Sequence, residues 1–360
     1  MNTTKKSKTN NLNTLNIMKT TFHAPQKNIL KLVSKSNIKK IVILALATII
    51  FTSCTDNEDT TPMPPSAASF IAIKEQGVKT NTQSFTATAG AGVITLTSAK
   101  GVVITLNGNA LTKNGNPVTG AIDIKFIELF DKGNMLITNK PTMGVMPDGK
   151  KSLLKSGGEF FIKAAQGGVD LVSTGVIQLQ VPANLTGTID KEMLFWAGDT
   201  KDPENLAWVN PRNADGAGGQ KDGNVGFGQT SYNVSFGSFG WTNVDKFYSD
   251  PRPRTTILAA VPLGYDNTNC AIYLSYDGEG QNALAKLDTY NPITKQFSEH
   301  YGQIPIGLQM HVIFATEDNG NWRYAIKAVT VAANDVYNFT LAETSVVTEA
   351  QMVAAINAIQ

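Results

Sequence analysis

Apolar and polar positions alternate along most of the chain after Ser69. In the segment 177–181, Ile177, Leu179 and Val181 are apolar, while Gln178 and Gln180 between them are polar. A period of two indicates a β-strand with one buried face and one wet face. Similar short apolar or alternating runs occur at 94–97, 102–106, 121–130, 159–163, 193–196, 207–209, 230–248, 255–262, 270–275 and 283–287. The pattern predicts an all-β protein.

One of these runs, 121–130, changes phase along its length. Ile122, Ile124 and Phe126 lie on one face, but the next apolar residues are Ile127 and Leu129. A slip of one residue within a strand is what a β-bulge produces. We therefore expect a bulge in this strand.

The C-terminal part contains a hairpin pattern and then a helix pattern. The runs 310–316 and 322–329 are separated by a segment that ends in Asn319-Gly320, a pair that favours hairpin turns. Farther on, Thr348 and Gln351 fit a capping box, and apolar residues follow at helical spacing. We predict a β-hairpin and a terminal helix over 349–359.

The N-terminal part has a different composition. Lys39 and Lys40 precede the uncharged segment Ile41–Phe51, and Ser53 and Cys54 follow. The 11 residues of that segment would cover only about half of a ~30 Å hydrocarbon core as a helix, which argues against a membrane span. The layout resembles a bacterial lipoprotein signal, although Phe51 stands where that motif usually has Leu. The resemblance implies that Cys54 is lipidated and becomes the first residue of the mature protein.

The charge distribution supports removal of this segment. Residues 1–53 carry nine of the 31 basic residues and none of the 29 acidic ones, so the remaining 307 residues have a net charge of −7. A net acidic surface argues against nucleic acid as a partner. Asp56, Glu58 and Asp59 follow Cys54 closely, which is similar to the export signal for surface lipoproteins of Bacteroidetes-type bacteria. We therefore expect an outer-membrane protein, displayed at the cell surface.

The length after Cys54 favours two domains. Residues 55–68 are polar and rich in Pro, which is typical of an extended tether. Pro251 and Pro253 favour an extended connector and mark the expected boundary between the domains. The predicted division is a signal peptide at 1–53, a lipidated cysteine with its tether at 54–68, and two β-sandwich-like domains in tandem at 69–250 and 251–360, the second ending in the helix.

The sequence contains no common catalytic, metal-binding or phosphate-binding signature, and we predict no cofactor and no bound metal. Cys270 lies in a predicted strand and is interpreted as a buried small hydrophobic residue. His300 and His311 are the histidines after Cys54, and neither has a signature partner. A non-enzymatic role is therefore favoured.

The segment 241–254 is the best candidate for a special site. It contains Trp241, Asn243, Asp245, Arg252 and Arg254 near the expected domain junction. Ligand sites favour such junctions. The favoured interpretation is nevertheless a structural latch, in which Asp245 pairs with an arginine and Trp241 packs across the interface, because buried ion pairs at interfaces are common without catalysis.

Several stretches resemble motifs of an uncharacterised family of Bacteroidetes-type surface lipoproteins, namely 118–136, 139–143, 154–161 and 239–248. The resemblance implies architecture and location but no activity, since none is assigned to that family. The strand patterns at 92–95 and 101–104, leading to Ala110-Leu111, are also similar to the opening of ZU5-type β-sandwiches, which are interaction and scaffold modules.

Together these patterns predict a protein attached to the membrane through lipid on Cys54, with a structural role or a binding role toward a protein or a glycan. The alternative is a carbohydrate-active hydrolase that uses two carboxylates. A glycan-binding protein would need exposed aromatic side chains, for which the four tryptophans are candidates: Trp196, Trp208, Trp241 and Trp322.

Overall fold

The computed structural model describes residues 62–202, 204–211, 223–280, 282–299 and 301–360. The predicted signal segment, Cys54 and His300 lie outside the described residues. Within them most of the regular structure is strand, as the alternation predicts, and the protein is all-β with a short C-terminal helix. No helix in this part of the chain has the length and apolar character needed to cross a membrane.

The strands are short and numerous. Up to residue 247 they are β1 (Gln83–Ala89), β2 (Val93–Thr97), β3 (Val103–Asn107), β4 (Leu111–Lys113), β5 (Asn116–Pro117), β6 (Gly120–Leu129), β7 (Met143–Val145), β8 (Lys151–Gln166), β9 (Val169–Asp170), β10 (Val172–Ser173), β11 (Ile177–Pro182), β12 (Leu194–Asp199), β13 (Ala207–Val209), β14 (Asn224–Phe227), β15 (Ser231–Phe236) and β16 (Gly240–Phe247). After residue 253 they are β17 (Arg254–Thr255), β18 (Leu258–Ala260), β19 (Cys270–Tyr276), β20 (Ala285–Lys286), β21 (Thr289–Asn291), β22 (Gln296–Ser298), β23 (Ile304–Pro305), β24 (Gln309–Asp318), β25 (Asn321–Thr330), β26 (Val336–Asn338) and β27 (Ser345–Val347).

Two pairs of sheets each enclose a hydrophobic core. In the first pair, the sheet β1-β6-β8-β16-β12-β13-β7 packs on the sheet β14-β15-β11-β3-β2, and Phe126 and Ile104 represent their facing sides. In the second pair, the sheet β21-β22-β18-β26 packs on the sheet β20-β19-β24-β25-β27, with Phe297 and Phe314 in the core. The fold is therefore two β-sandwich-like units in tandem.

A third core joins the two sandwiches. It combines the outer faces of one sheet from each sandwich with three helices, which are α1 (Ala67–Thr80), α2 (Lys132–Ile137) and α3 (Glu349–Asn357). Trp196 and Trp322 are contributed by the two sandwiches. Thr61–Gln360 accordingly forms one compact unit. The division at residue 250 stays a prediction about domains, but its two halves share a core.

The larger sheet of the first sandwich closes on itself in part. β7 pairs with both β8 and β13, so β8, β16, β12, β13 and β7 form a closed ring of five strands. The inner side of this ring belongs to the third core and contains Leu154, Trp196, Trp208 and Trp241. The ring places the central part of β16 where solvent is excluded.

The expected bulge lies in another strand. β6 pairs with β8 in unbroken register from Asp123 to Leu129, so the prediction of a bulge in 121–130 is wrong. The apparent phase slip arises because the end of β6 is covered on both faces, with Phe126 in one core and Ile127 in another. The irregularity lies where β8 meets β16, at Gly157 and Gly158.

The hairpin and the terminal helix are confirmed. β24 and β25 pair along their full length, and Asn319 and Gly320 both have the positive φ that a tight hairpin turn requires. Thr348 and Gln351 form the capping box of α3. The other two helices were not predicted, and α1 begins inside the range assigned to the tether.

Candidate functional site

Three of the five residues in the predicted site lie together on the inner side of the ring. Trp241, Asn243 and Asp245 alternate along β16 and therefore share one face of the strand. Trp241 is 8% exposed, and Asn243 and Asp245 are fully buried. The structure thus keeps these three as one group and removes it from solvent.

The two predicted arginines lie elsewhere. The Nε atom of Arg252 donates to both carboxylate oxygens of Asp250 at 3.0 Å, and Arg254 hydrogen bonds Gln303. Asp250 follows the end of β16 closely and takes the guanidinium that the latch interpretation assigned to Asp245. Among the described residues the Asp245–arginine latch is not formed, although Trp241 is buried as that interpretation expected.

Asp245 is held by a small hydrogen-bond network. The Nδ2 atom of Asn243 donates to its Oδ2 atom, and Ser156 Oγ donates to Asn243 Oδ1 at 2.9 Å. Ser156 lies opposite Asp245 in the register of β8 and β16. Burial raises the pKa of Asp245 well above its usual range, and the polar side chains of Ser156 and Asn243 partly oppose that rise.

A second carboxyl group lies beside this network without such support. Glu159 pairs with Asn243 across β8 and β16 and is fully buried. In the described structure neither of its carboxyl oxygens has a hydrogen-bond partner. Burial, followed by the nearby charge of Asp245, raises the pKa of Glu159 well above its usual range.

Lys140 is the cation whose charge acts on Glu159. Its side chain is half-buried, and its Nζ atom lies 5.3 Å from the centroid of the Trp241 ring. Burial lowers the pKa of Lys140, and the charges of Glu159 and Glu204 oppose this. The group formed by Lys140, Ser156, Glu159, Trp241, Asn243 and Asp245 is called the ring cluster below.

The ring cluster contains two buried carboxyl groups, Glu159 and Asp245, and few hydrogen-bond donors are available to them. Among the described residues, Asp245 Oδ2 accepts a hydrogen bond from Asn243, whereas neither oxygen of Glu159 accepts one, so Glu159 is the less supported of the two as an anion. A glycoside hydrolase needs its two carboxyls on either side of an accessible sugar. Both carboxyls here are fully buried, so the cluster as described is a polar centre of the core.

A cavity of about 330 Å³ opens near the cluster without reaching it. Asn282 belongs to its wall, and the Nδ2 atom of that residue donates to the backbone oxygen of Ser156 at 2.5 Å. Phe130 also lines the cavity and packs beside Gly158. The strand β8 and the Asn282 amide therefore separate this cavity from the carboxyl groups.

A second buried polar group lies under the C-terminal helix. Lys132 is fully buried, and its Nζ atom donates to Ser275 Oγ at 3.0 Å and to the Ile359 oxygen at 2.7 Å. His311 lies opposite Ser275 in the register, and its Nδ1 atom is 2.8 Å from Asp277 Oδ1. The side chains of Lys132, Ser275, His311 and Asp277 therefore form one polar group. Ser275 is only 1% exposed, and the bond from Lys132 to the Ile359 oxygen holds the C-terminal end of the chain in place.

A smaller cavity of about 120 Å³ has a polar rim on the side of α1. Lys286 lines it and donates from Nζ to Asn139 Oδ1 at 3.0 Å, and burial lowers its pKa to about 8. Asp288 also lines it and accepts from Lys151 Nζ at 2.9 Å. Cys270 borders this cavity as a buried strand residue whose pKa is raised by burial, as its interpretation as a hydrophobic residue expected.

Sequence reasoning missed Ser156, Glu159 and Lys140 as members of one group. A signal for Glu159 was present, because it is a lone charged residue directly before the apolar pair Phe160-Phe161 in a strand. A charged residue within an apolar strand is a sign of a buried polar partner. The polar residues beside Glu159, however, come from β16, more than 80 residues later in the chain.

The comparisons with known proteins identify no family. No family of known proteins matches this chain, and no curated protein matches it. One solved structure, the Gamma-CGTase from alkalophilic Bacillus clarkii, aligns with 10% sequence identity and a TM-score of 0.16, over 70% of this chain and 40% of that one. This chain therefore spans less than half of that enzyme, and a likeness of this size carries no argument about fold or function.

Proposed function

We propose that this protein is attached to the cell envelope through lipid on Cys54 and acts there by non-catalytic binding or as a structural part. The anchoring rests on the sequence around Cys54, with two lysines, eleven uncharged residues and a small residue before the cysteine. The acidic residues Asp56, Glu58 and Asp59 support display at the outer face of the outer membrane.

One observation carries the non-catalytic part of the proposal. The adjacent carboxyls Glu159 and Asp245 are sealed in the ring, where no substrate reaches them. Buried polar groups are used in some proteins to specify a single packing arrangement. The function that we propose therefore involves the outer surface of the protein.

A protein partner is favoured over a glycan. All four tryptophans are buried, with exposed fractions of 8% or less, so none forms an aromatic platform for a sugar ring. Their role is to fill the third core, where Trp208 and Trp241 pack edge to face with ring centroids 6.4 Å apart. The candidate glycan contacts of the sequence analysis are therefore structural residues.

The anchoring is tested by replacing Cys54 with Ala in cells fed with labelled palmitate. We expect the unchanged protein to incorporate label and to fractionate with the outer membrane. The Cys54→Ala chain should lose both the label and the processing step. Equal labelling and equal fractionation of the two chains would contradict the proposal. External protease applied to intact cells then distinguishes the outer face from the periplasmic face.

The hydrolase alternative has a test of its own. Glu159→Gln and Asp245→Asn remove the pair of carboxyls that the structure brings together. The proposal expects no sugar release from polysaccharides by the unchanged protein. Release that both substitutions abolish would replace the proposal with the hydrolase.

A further inference from the structure

The most exposed apolar side chains of the described residues occur in one region. Met63, Leu263 and Ile293 are 88%, 86% and 90% exposed, above every other large hydrophobic side chain in this part of the chain. Single exposed apolar residues are ordinary, whereas a group of them marks an interaction surface. These three residues are called the apolar triad below.

Met63 and Leu263 come together because their following residues touch. The Pro64 ring packs so closely on Gly264 that an added Cβ there would lie 2.7 Å from Pro64 Cγ. The Asn269 side chain donates to the backbone oxygens of Pro65 at 3.3 Å and of Gly264 at 3.1 Å. The start of the folded chain is therefore fixed beside the turn that carries Leu263.

Ile293 lies at the same end of the molecule, because its turn and the turn that carries Leu263 belong to one sheet. Ala260 and Asn291 both pair with Gln296 of β22, on its two sides. The turn that carries Ile293 and the turn that carries Leu263 therefore leave the sheet at one end, from the neighbouring strands β22 and β18, which lie about 5 Å apart. The charge of Asp266 acts on Tyr290, which places the hairpin beside the loop that follows Leu263.

The position of the triad relative to Cys54 indicates which surface these three side chains contact. Met63 is the second described residue, and Pro62 is eight residues after Cys54. Eight residues span at most about 26–29 Å. An anchored Cys54 therefore holds this end of the folded unit close to the bilayer. No such limit on distance applies to the first sandwich, which contains the ring cluster.

We propose that the apolar triad contacts the lipid bilayer beside the lipid anchor, with Leu263 and Ile293 entering the interfacial region. This inference rests on the proposed lipidation of Cys54. Two acyl chains on Cys54 hold the chain at the membrane, and apolar side chains that enter the interface add to this attachment and fix the orientation of the folded part. Lys295, exposed next to Ile293 in the same turn, suits the phosphate groups of the headgroup layer.

The contact is tested with a fluorescent probe on the full lipidated chain. Leu263→Cys and Ile293→Cys are each labelled with NBD, and Val93→Cys, which is 71% exposed on a strand of the other sandwich, is the control. Cys270 stays unlabelled because it is buried and its pKa is raised. The labelled proteins are placed in vesicles of phosphatidylethanolamine and phosphatidylglycerol that contain lipid brominated on the acyl chains.

We expect several-fold stronger quenching at positions 263 and 293 than at position 93. Equal, weak quenching at all three positions of a palmitate-labelled, vesicle-bound chain would overturn the membrane contact and leave the anchor intact. A blue-shifted probe that bromolipid does not quench would assign the triad to a protein neighbour, and would also overturn it. A chain that is neither lipidated nor vesicle-bound would overturn the anchor and the contact together.

Discussion

Glu159 and Asp245 are the two buried carboxyl groups of the ring cluster. Both carboxyls are fully buried, and Asp245 Oδ2 accepts a hydrogen bond from Asn243, whereas neither oxygen of Glu159 has a partner in the described structure. An ionised and unpaired carboxylate in such a place is strongly unfavourable. Burial therefore raises the pKa of Glu159 and favours its protonated form in the folded protein.

The pH dependence of stability follows from the direction of this shift. The pKa of Glu159 is raised in the folded state, so the folded protein binds the proton that the unfolded chain releases. The free energy of unfolding then falls as the pH rises above about 4.5, by up to about 1.4 kcal/mol per pH unit for each such group. Glu159→Gln should flatten this dependence and stabilise the protein at pH 7 by on the order of 1–3 kcal/mol.

Urea unfolding of residues 55–360 between pH 4 and pH 8 measures this effect. Asp123→Asn removes an exposed carboxyl from β6 and is the matched control for the loss of one acidic group. A Glu159→Gln protein that is less stable than the unchanged one at pH 7, with the same pH profile, would show that Glu159 is ionised and satisfied in the folded state.

At the scale of elements, the short helices attach the chain termini to the third core. The Asn357 side chain of α3 accepts from the backbone N–H of Gly133 in α2 at 2.8 Å and donates to Asp131 at 2.9 Å. A Cβ at Gly133 would lie 2.6 Å from the Val353 oxygen. The two helices therefore pack at a distance that only glycine permits at this position.

Gly133→Ala should push α2 and α3 apart and destabilise the protein by about 1–3 kcal/mol. Gly226→Ala is the control, because a Cβ there would lie at ordinary contact distance, 3.6 Å, from its nearest neighbour. Thermal unfolding of both variants measures the difference. Equal melting temperatures would mean that α3 does not depend on this contact.

Local pattern predicted most of the strands, the β24–β25 hairpin and the capped helix α3, because each is encoded within a few residues. The helix α1 was missed because only four of its 14 residues are buried, so its apolar stripe is weak. The misplaced bulge has a tertiary cause, since the end of β6 is covered on both faces. Trp241, Asn243 and Asp245 were grouped correctly through their spacing on one strand, whereas Glu159 joins them from a distant strand.

At the scale of the whole molecule, the third core makes the two sandwiches depend on each other. Phe70 of α1 packs edge to face against Trp322, with ring centroids 6.5 Å apart. The Tyr273 hydroxyl of the second sandwich donates to Asn139 Oδ1 at 2.9 Å. The chain that follows the tether, the first sandwich and the second sandwich thus stabilise one another.

We therefore expect residues 55–360 to unfold in a single cooperative transition. Scanning calorimetry should give one peak, with a calorimetric enthalpy close to the van't Hoff enthalpy. Two separated peaks would instead indicate domains that unfold independently on either side of residue 250.

Cys54 is the most important residue to test, because the proposed location, the proposed role and the membrane contact all follow from its lipidation. Mass spectrometry of the N-terminal peptide of the protein purified from membranes tests it most directly. We predict that the mature chain begins at Cys54 and carries a diacylglyceryl group on its sulfur. A chain that retains residues before Cys54, or that begins with an unmodified cysteine, would contradict the proposed lipidation.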